Sequence, residues 1–148
     1  MTDRIEKTIE LKAPVQRVWR ALTDHREFGT WFRVKLDNPF AVGEISRGHI
    51  AYPGYEHLFW EARVVAMEEP HLFSYTWHPY AVDPEVDYST ETPTLVEFRL
   101  EPIAAGTRLT LVESGFDALP SHRRDLALRM NEGGWTEQMK NIEAHVSP

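Results

Sequence analysis

From Arg4 to Leu11 the chain keeps a two-residue rhythm, with Ile5, Lys7, Ile9 and Leu11 alternating against Glu6, Thr8 and Glu10. That pattern predicts a strand with one face in a core and the other in water. The next stretch, "APVQRVWRALTDHREFGTWF", changes to a helical period. Pro14 suits the first turn of a helix, and Val15, Val18, Trp19 and Leu22 form one stripe along it. Asp24 is placed to cap a second helix, with Phe28 and Trp31 on its buried side, and Gly29 predicts that this helix is brief. Period two then returns and predicts strands over 33–36, 44–51, 58–67, 72–77, 94–101 and 107–113. Most of the connections are short and rich in turn residues, which favours antiparallel neighbours. The exception, "HPYAVDPEVDYSTETP", is acidic, holds three prolines and reads as an exposed loop.

The last element runs from Ser121 to about Val146, a helix of about 40 Å at 1.5 Å per residue. Leu128, Trp135, Met139, Ile142 and Val146 make its apolar stripe. Gly133 and Gly134 interrupt that stripe at a cost of ~1 kcal/mol each relative to alanine. Three readings follow: a helix packed closely at its glycines, a helix that leaves room for a ligand, or a break into two shorter helices. On the sheet, Trp60, Ala62, Val64 and Ala66 share the uncharged face of their strand, so small residues are expected opposite the glycine pair. A strand, two short helices, about six strands and a long helix together predict an α+β fold, with the helices on one side of an antiparallel sheet.

Composition narrows the function. The chain has 148 residues, 42% hydrophobic and 26% charged, as expected of a globular domain. Its net charge of -7 argues against nucleic acid as a partner. No cysteine is present, which excludes disulfides and thiolate chemistry. The charged N-terminus predicts no signal peptide, no apolar run predicts membrane insertion, and the expected location is cytoplasmic. The seven histidines are scattered without metal-ligand spacing, so no metal site and no cofactor are expected. No phosphate loop and no nucleophile elbow occur.

Several segments taken together resemble a known family: "IEKTIELKAPVQRVWRALTD", "EFGTWF", "HLFSYTWH", "TLVEFRLEPIAAGTRLTLVESGF" and "GGWTEQMKNIEAH". They are similar to the bacterial homologues of the heat-shock-90 ATPase activator, within the START-like superfamily that also holds polyketide cyclases and birch-pollen-type allergens. The resemblance implies one helix-grip domain over residues 1–148, a curved antiparallel sheet wrapped around the long C-terminal helix with a cavity between them. Members of the superfamily bind small apolar molecules, and some are enzymes.

The residues themselves supply candidate walls for such a cavity: Trp31, Trp60, Ala62, Ala66, Tyr75, Trp77, Phe98, Gly134, Trp135 and Met139. The expected space is ~300–1,000 Å³, as for small-molecule sites generally. Acid–base chemistry has two candidates. His49 shares a strand face with Ile45 and Arg47, and Glu113 follows Leu109 and Leu111 on theirs; both would reach the cavity if those faces point inward. The expected partner is a small apolar molecule. A cyclase- or hydrolase-type enzyme, and an interaction module that touches a chaperone through the acidic loop Asp83 to Glu91 or forms a homodimer, are the alternatives.

Overall fold

The computed structural model describes residues 4–83 and 85–147. Strand β1 (Arg4–Leu11) leads into α1 (Val15–Thr23) and α2 (His25–Phe32), and the chain returns as β2 (Val34–Leu36). Strands β3 (Ile45–Ile50), β4 (Phe59–Glu68), β5 (Leu72–Trp77), β6 (Thr94–Ile103) and β7 (Gly106–Ser114) follow, and α3 (Ser121–Val146) closes the chain. All seven strands form one antiparallel sheet in the order β1-β7-β6-β5-β4-β3-β2. The two short helices therefore carry the chain from one sheet edge to the other. This is the helix-grip arrangement, and the predicted elements agree with it to within two residues at most ends.

Local chemistry explains the boundaries. The Asp24 carboxylate accepts from the backbone N–H groups of Arg26 and Glu27 at 2.9 and 3.2 Å and caps α2. The helix ends at Arg33, whose φ of 69° places it in the left-handed region. A bulge between Val64 and Ala66 interrupts the β4–β5 ladder. The extra residue shifts the phase of everything after it. Trp60, Ala62 and Val64 face the core, but beyond the bulge Met67 takes the inward position, and Ala66 pairs with Ser74 on the other face. The inward placement expected for Ala66 is corrected accordingly.

The core lies between the concave face of the sheet and the three helices. Ile5 and Leu11 of β1, Phe98 and Leu100 of β6 and Leu109 and Leu111 of β7 supply the sheet side. Trp19, Phe28, Trp31, Trp135, Met139 and Ile142 supply the helix side. Ion pairs fasten the rim. Lys7, on the inward face of β1, reaches Glu132 of α3 at 2.6 Å. Glu27 gathers Arg17, Arg20 and His145, tying α1, α2 and the last turn of α3 together. Burial pushes the Glu27 carboxyl up, but its bonds to His145, Arg17 and Arg20 outweigh this and hold it below its ordinary value.

The glycine question resolves clearly. Helix α3 is continuous through Gly133 and Gly134, which excludes the break. Both glycines are exposed, and a Cβ added to either would meet no atom within 4 Å, which excludes close packing. The expected opposition to Ala62 and Ala66 is also corrected. Phe32 of α2 and Trp77 of β5 share the space beside Gly134. Since the added methyl groups clash with nothing, replacing both glycines by alanine should stabilise the domain by about 2 kcal/mol through helix propensity. A urea titration followed by circular dichroism would measure this, and a destabilised double variant would contradict it.

Candidate functional site

Glu113 is the polar centre of the molecule. It sits near the end of β7 on the inward face and is fully buried. Its carboxylate accepts four hydrogen bonds from three other elements. Trp77 Nε1 and Thr94 Oγ1 donate to Oε2 at 2.7 and 2.5 Å. Asn131 Nδ2 and Trp135 Nε1 donate to Oε1 at 2.9 and 2.8 Å. All four donors are uncharged, and an ionised carboxylate, which only accepts, matches them one for one. Strand register explains the arrangement. Glu113 lies opposite Val96, Val96 opposite Tyr75, and Trp77 opposite Thr94, so one corner of the sheet delivers these groups together. Asn131 and Trp135 are four apart on α3 and so share a face.

Around this carboxylate the aromatic side chains interlock. Trp77 and Trp135 have ring centroids 5.8 Å apart, and Phe32 lies 6.1 and 6.0 Å from them. Phe98 packs edge-on against Trp135 at 5.7 Å and against Trp31 at 6.5 Å. Tyr75 lies among Phe28, Trp60, Phe73, Trp77 and Phe98. Its hydroxyl is buried without a hydrogen-bond partner, and burial, reinforced by the Glu113 charge, pushes its pKa well above the ordinary value. The large cavity expected between sheet and helix is therefore filled by rings. What remains there is an opening of about 90 Å³ lined by Phe32, Trp77, Asn131, Gly134, Trp135 and Gln138. It exists where Gly134 presents no side chain.

On the other side of Trp77 is a larger groove of about 610 Å³. It lies between the start of β4 and the loop after β5, with Trp60, Trp77, Val82 and Val86 among its walls. That loop is irregular but firmly held. Arg123, in the first turn of α3, donates to both carboxylate oxygens of Glu91 at 2.8 to 3.1 Å and to the backbone carbonyls of Pro79 and Tyr80 at 3.0 and 3.1 Å. The two paired side chains are only 12% and 11% exposed, and the guanidinium carbon also lies over the Tyr88 ring, 4.7 Å from its centroid. Such a bidentate, largely desolvated pair resists removal of either partner. It also holds Tyr80 at a φ of 50°, a conformation that tyrosine adopts only when its surroundings impose it.

The sequence-derived candidates fall into three sets. Trp77, Gly134 and Trp135 meet at the small opening, with Glu113 beside them. Trp31, Ala62, Phe98 and Met139 are buried in the core away from both openings; the Trp31 indole N–H donates to the Ala21 carbonyl at 2.8 Å. Trp60 lines the groove, Tyr75 is enclosed, and Ala66 and His49 face the other way. His49 alternates with the buried Ser46 and Gly48 on β3, which places it and Arg47 on the solvent face, where the His49 ring packs at a tilt against the exposed Phe59, 4.8 Å between centroids. It cannot act in the interior. Pattern reading missed Phe32, Asn131, Gln138 and Thr94. For Asn131 and Gln138 the available signal was helical spacing, since they lie four residues before and three after Trp135. Among the described residues no cluster of histidines and carboxylates has metal-binding geometry, and no helix is long and apolar enough to cross a membrane.

Comparison with known proteins places this geometry. The sequence model of the family described as "Activator of Hsp90 ATPase homolog 1-like protein" matches residues 12–147. The chain belongs to that family. No curated protein matches it. Among solved structures it is similar to a protein from Mesorhizobium loti, with 26% identity, a TM-score of 0.75 and coverage of 96% of this chain and 95% of that one. It shares its fold with the Aha1 dimer from Colwellia psychrerythraea, at 15% identity and a TM-score of 0.72, covering 99% of this chain and 97% of that one. It also shares it with DynU16, a protein of the dynemicin biosynthetic locus, at 22% identity and a TM-score of 0.75. That alignment covers 98% of this chain and 47% of DynU16. The family's helix-grip scaffold is thus present over nearly the whole chain, and in this member its interior is closed by aromatic rings and tied at Glu113.

Replacing Glu113 by glutamine tests that tie. The amide offers one acceptor oxygen in place of two, so two of the four buried donors lose their partner. The expected cost is about 3 kcal/mol, within the range for hydrogen bonds to charged groups. Urea unfolding would measure it, and a loss under about 1 kcal/mol would show that the network contributes little to stability.

Proposed function

We infer that this protein binds a small apolar or aromatic molecule between its sheet and its C-terminal helix, entering beside Gly134. The observation that carries this is the opening of about 90 Å³ walled by Phe32, Trp77 and Trp135, with the Glu113 network behind it. Three aromatic walls favour an apolar ring by stacking and burial. The opening fits a single ring or the tip of a longer chain. A hydroxyl on that ring would meet the polar edge formed by Asn131 and Gln138.

The cyclase-type alternative would use Glu113 as an acid or base, and the biosynthetic locus of DynU16 makes that class worth naming. The four hydrogen bonds to Glu113 favour binding over catalysis, because a base needs a free lone pair facing its substrate. A chaperone contact or homodimer draws support from the Colwellia Aha1 dimer. The acidic loop offers less for it than the sequence suggests, since Glu91 is taken by Arg123 and Asp87 accepts from Ser89.

Toluene and p-cresol are suitable single-ring probes. Both should shift the indole N–H signal of Trp135 and the side-chain amide of Asn131 in a proton–nitrogen correlation spectrum. Gly134→Leu should abolish those shifts while the domain stays folded, because its side chain projects into the opening. Shifts that survive the substitution, or a complete lack of response to either probe, would count against the site.

A further inference from the structure

The opening beside Gly134 has a definite polarity, and Asn131 sets it. Asn131 and Gln138 flank Gly134 on α3, and both line the opening. A carboxamide has one donating arm and one accepting arm. The ionised Glu113 carboxylate only accepts, so the arm of Asn131 that meets it, at 2.9 Å, is the nitrogen. Turning the amide over would set oxygen against oxygen at that distance. The Asn131 Oδ1, on the other arm, is therefore left to the opening. Among the described residues no group donates to it. It is also not sealed in, since the buried polar atoms without a partner belong to Ser46, Trp60, Tyr75, His78 and Arg124. Gln138 is more fully engaged: its Nε2 donates to the Phe32 carbonyl at 3.0 Å and its Oε1 accepts from Asn141 at 3.1 Å. The open acceptor of the site is Asn131.

We propose that Asn131 makes this site selective for an aromatic ring that carries a hydrogen-bond donor, a neutral phenol or arylamine, over rings that are bare or carry acceptors only. This rests on the binding reading given above and adds the chemistry of the ring's substituent. The ring packs against Phe32, Trp77 and Trp135, and its O–H or N–H donates to Asn131 Oδ1. Behind that oxygen stands the Glu113 charge, met by four neutral donors, and its field favours the hydrogen end of the ligand dipole. A carbonyl, ether or carboxylate in the same place would face oxygen with oxygen and give up its bond to water without replacement. The bond to Glu113 fixes the Asn131 side chain before the ligand arrives, which lowers the entropy lost on binding.

The test compares p-cresol, p-toluidine and 4-fluorotoluene, which share ring and methyl group and differ in one substituent of similar size, by nuclear magnetic resonance titration at neutral pH. The Trp135 indole N–H signal reads occupancy, and the Asn131 carboxamide carbon reads the hydrogen bond. All three probes should shift Trp135, but only p-cresol and p-toluidine should move the carboxamide carbon downfield. Between the wild-type chain and Asn131→Ala, the ratio of p-cresol to 4-fluorotoluene affinity should fall about fivefold, in the range of one net hydrogen bond. Taking the ratio cancels the different solubilities of the probes. The proposal is overturned, with the Gly134 site kept, if the probes shift Trp135 yet the ratio is the same in both chains. It is equally overturned if the carboxamide carbon responds alike to p-cresol and 4-fluorotoluene, a comparison within the wild-type chain that decides even where Asn131→Ala does not fold. If no probe shifts Trp135, the opening takes no ring, and this proposal falls together with the binding reading.

Discussion

A carboxylate enclosed by protein must find in protein the hydrogen bonds that water would have given it, and Glu113 finds four. Those bonds come from β5, β6 and α3, so satisfying one side chain fixes the relative position of three elements. The two tryptophans involved are held by their indole nitrogens, which sets the orientation of rings whose apolar faces then pack on Phe32 and Phe98. If Glu113 were apolar, the sheet and helix would still attract each other, but the buried hydrogen bonds that join α3 to the end of β7 would be lost, leaving the ties at the rim. Burial drives the collapse of this domain, and the polar knot selects one arrangement of it.

That arrangement has a consequence for ligand space. The resemblance to the family implies a large interior cavity, yet here the volume is occupied by Phe28, Phe32, Trp60, Tyr75, Trp77 and Phe98 in mutual edge-to-face, stacked or tilted contact. Aromatic rings are stiff and bulky, so a cluster of them closes a cavity more completely than aliphatic side chains of the same number. The remaining space lies at the edge of the cluster, on the two sides of Trp77. Sharing the scaffold with other family members therefore says little about function, which depends on the side chains placed on the fold.

The loop after β5 shows how an irregular segment can still be a precise wall. Its acidic composition and prolines resemble those of a solvated linker, but one arginine at the start of α3 replaces the hydrogen bonds a strand would have supplied. Arg123 satisfies two loop carbonyls and one largely buried carboxylate at once, and its guanidinium carbon lies over the Tyr88 ring. The backbone at Pro79 and Tyr80 and the side chain of Glu91 thus depend on one side chain from a distant element.

The strands, the helices and their order could be read directly from the periods of two and 3.6, because burial on one face forces that spacing wherever an element packs on a single core. The cap at Asp24 and the apolar stripe of α3 were legible for the same local reason. The resemblance to the family was also carried by short segments whose residues are close in sequence. What the sequence could not decide was anything that depends on two elements meeting. One extra residue at Val65 reversed the facing of Ala66, a change invisible in an alternating pattern that continues on either side of it. His49 and Glu113 looked alike as candidates, yet strand register put one in water and the other at the centre. The glycines in α3 were read as small residues opposite small residues, whereas they lie at an open edge beside Phe32 and Trp77. Local pattern fixes which residues want burial; only the packed sheet and helix decide which of them share a space, because that is set by register, bulges and long-range hydrogen bonds rather than by neighbours along the chain.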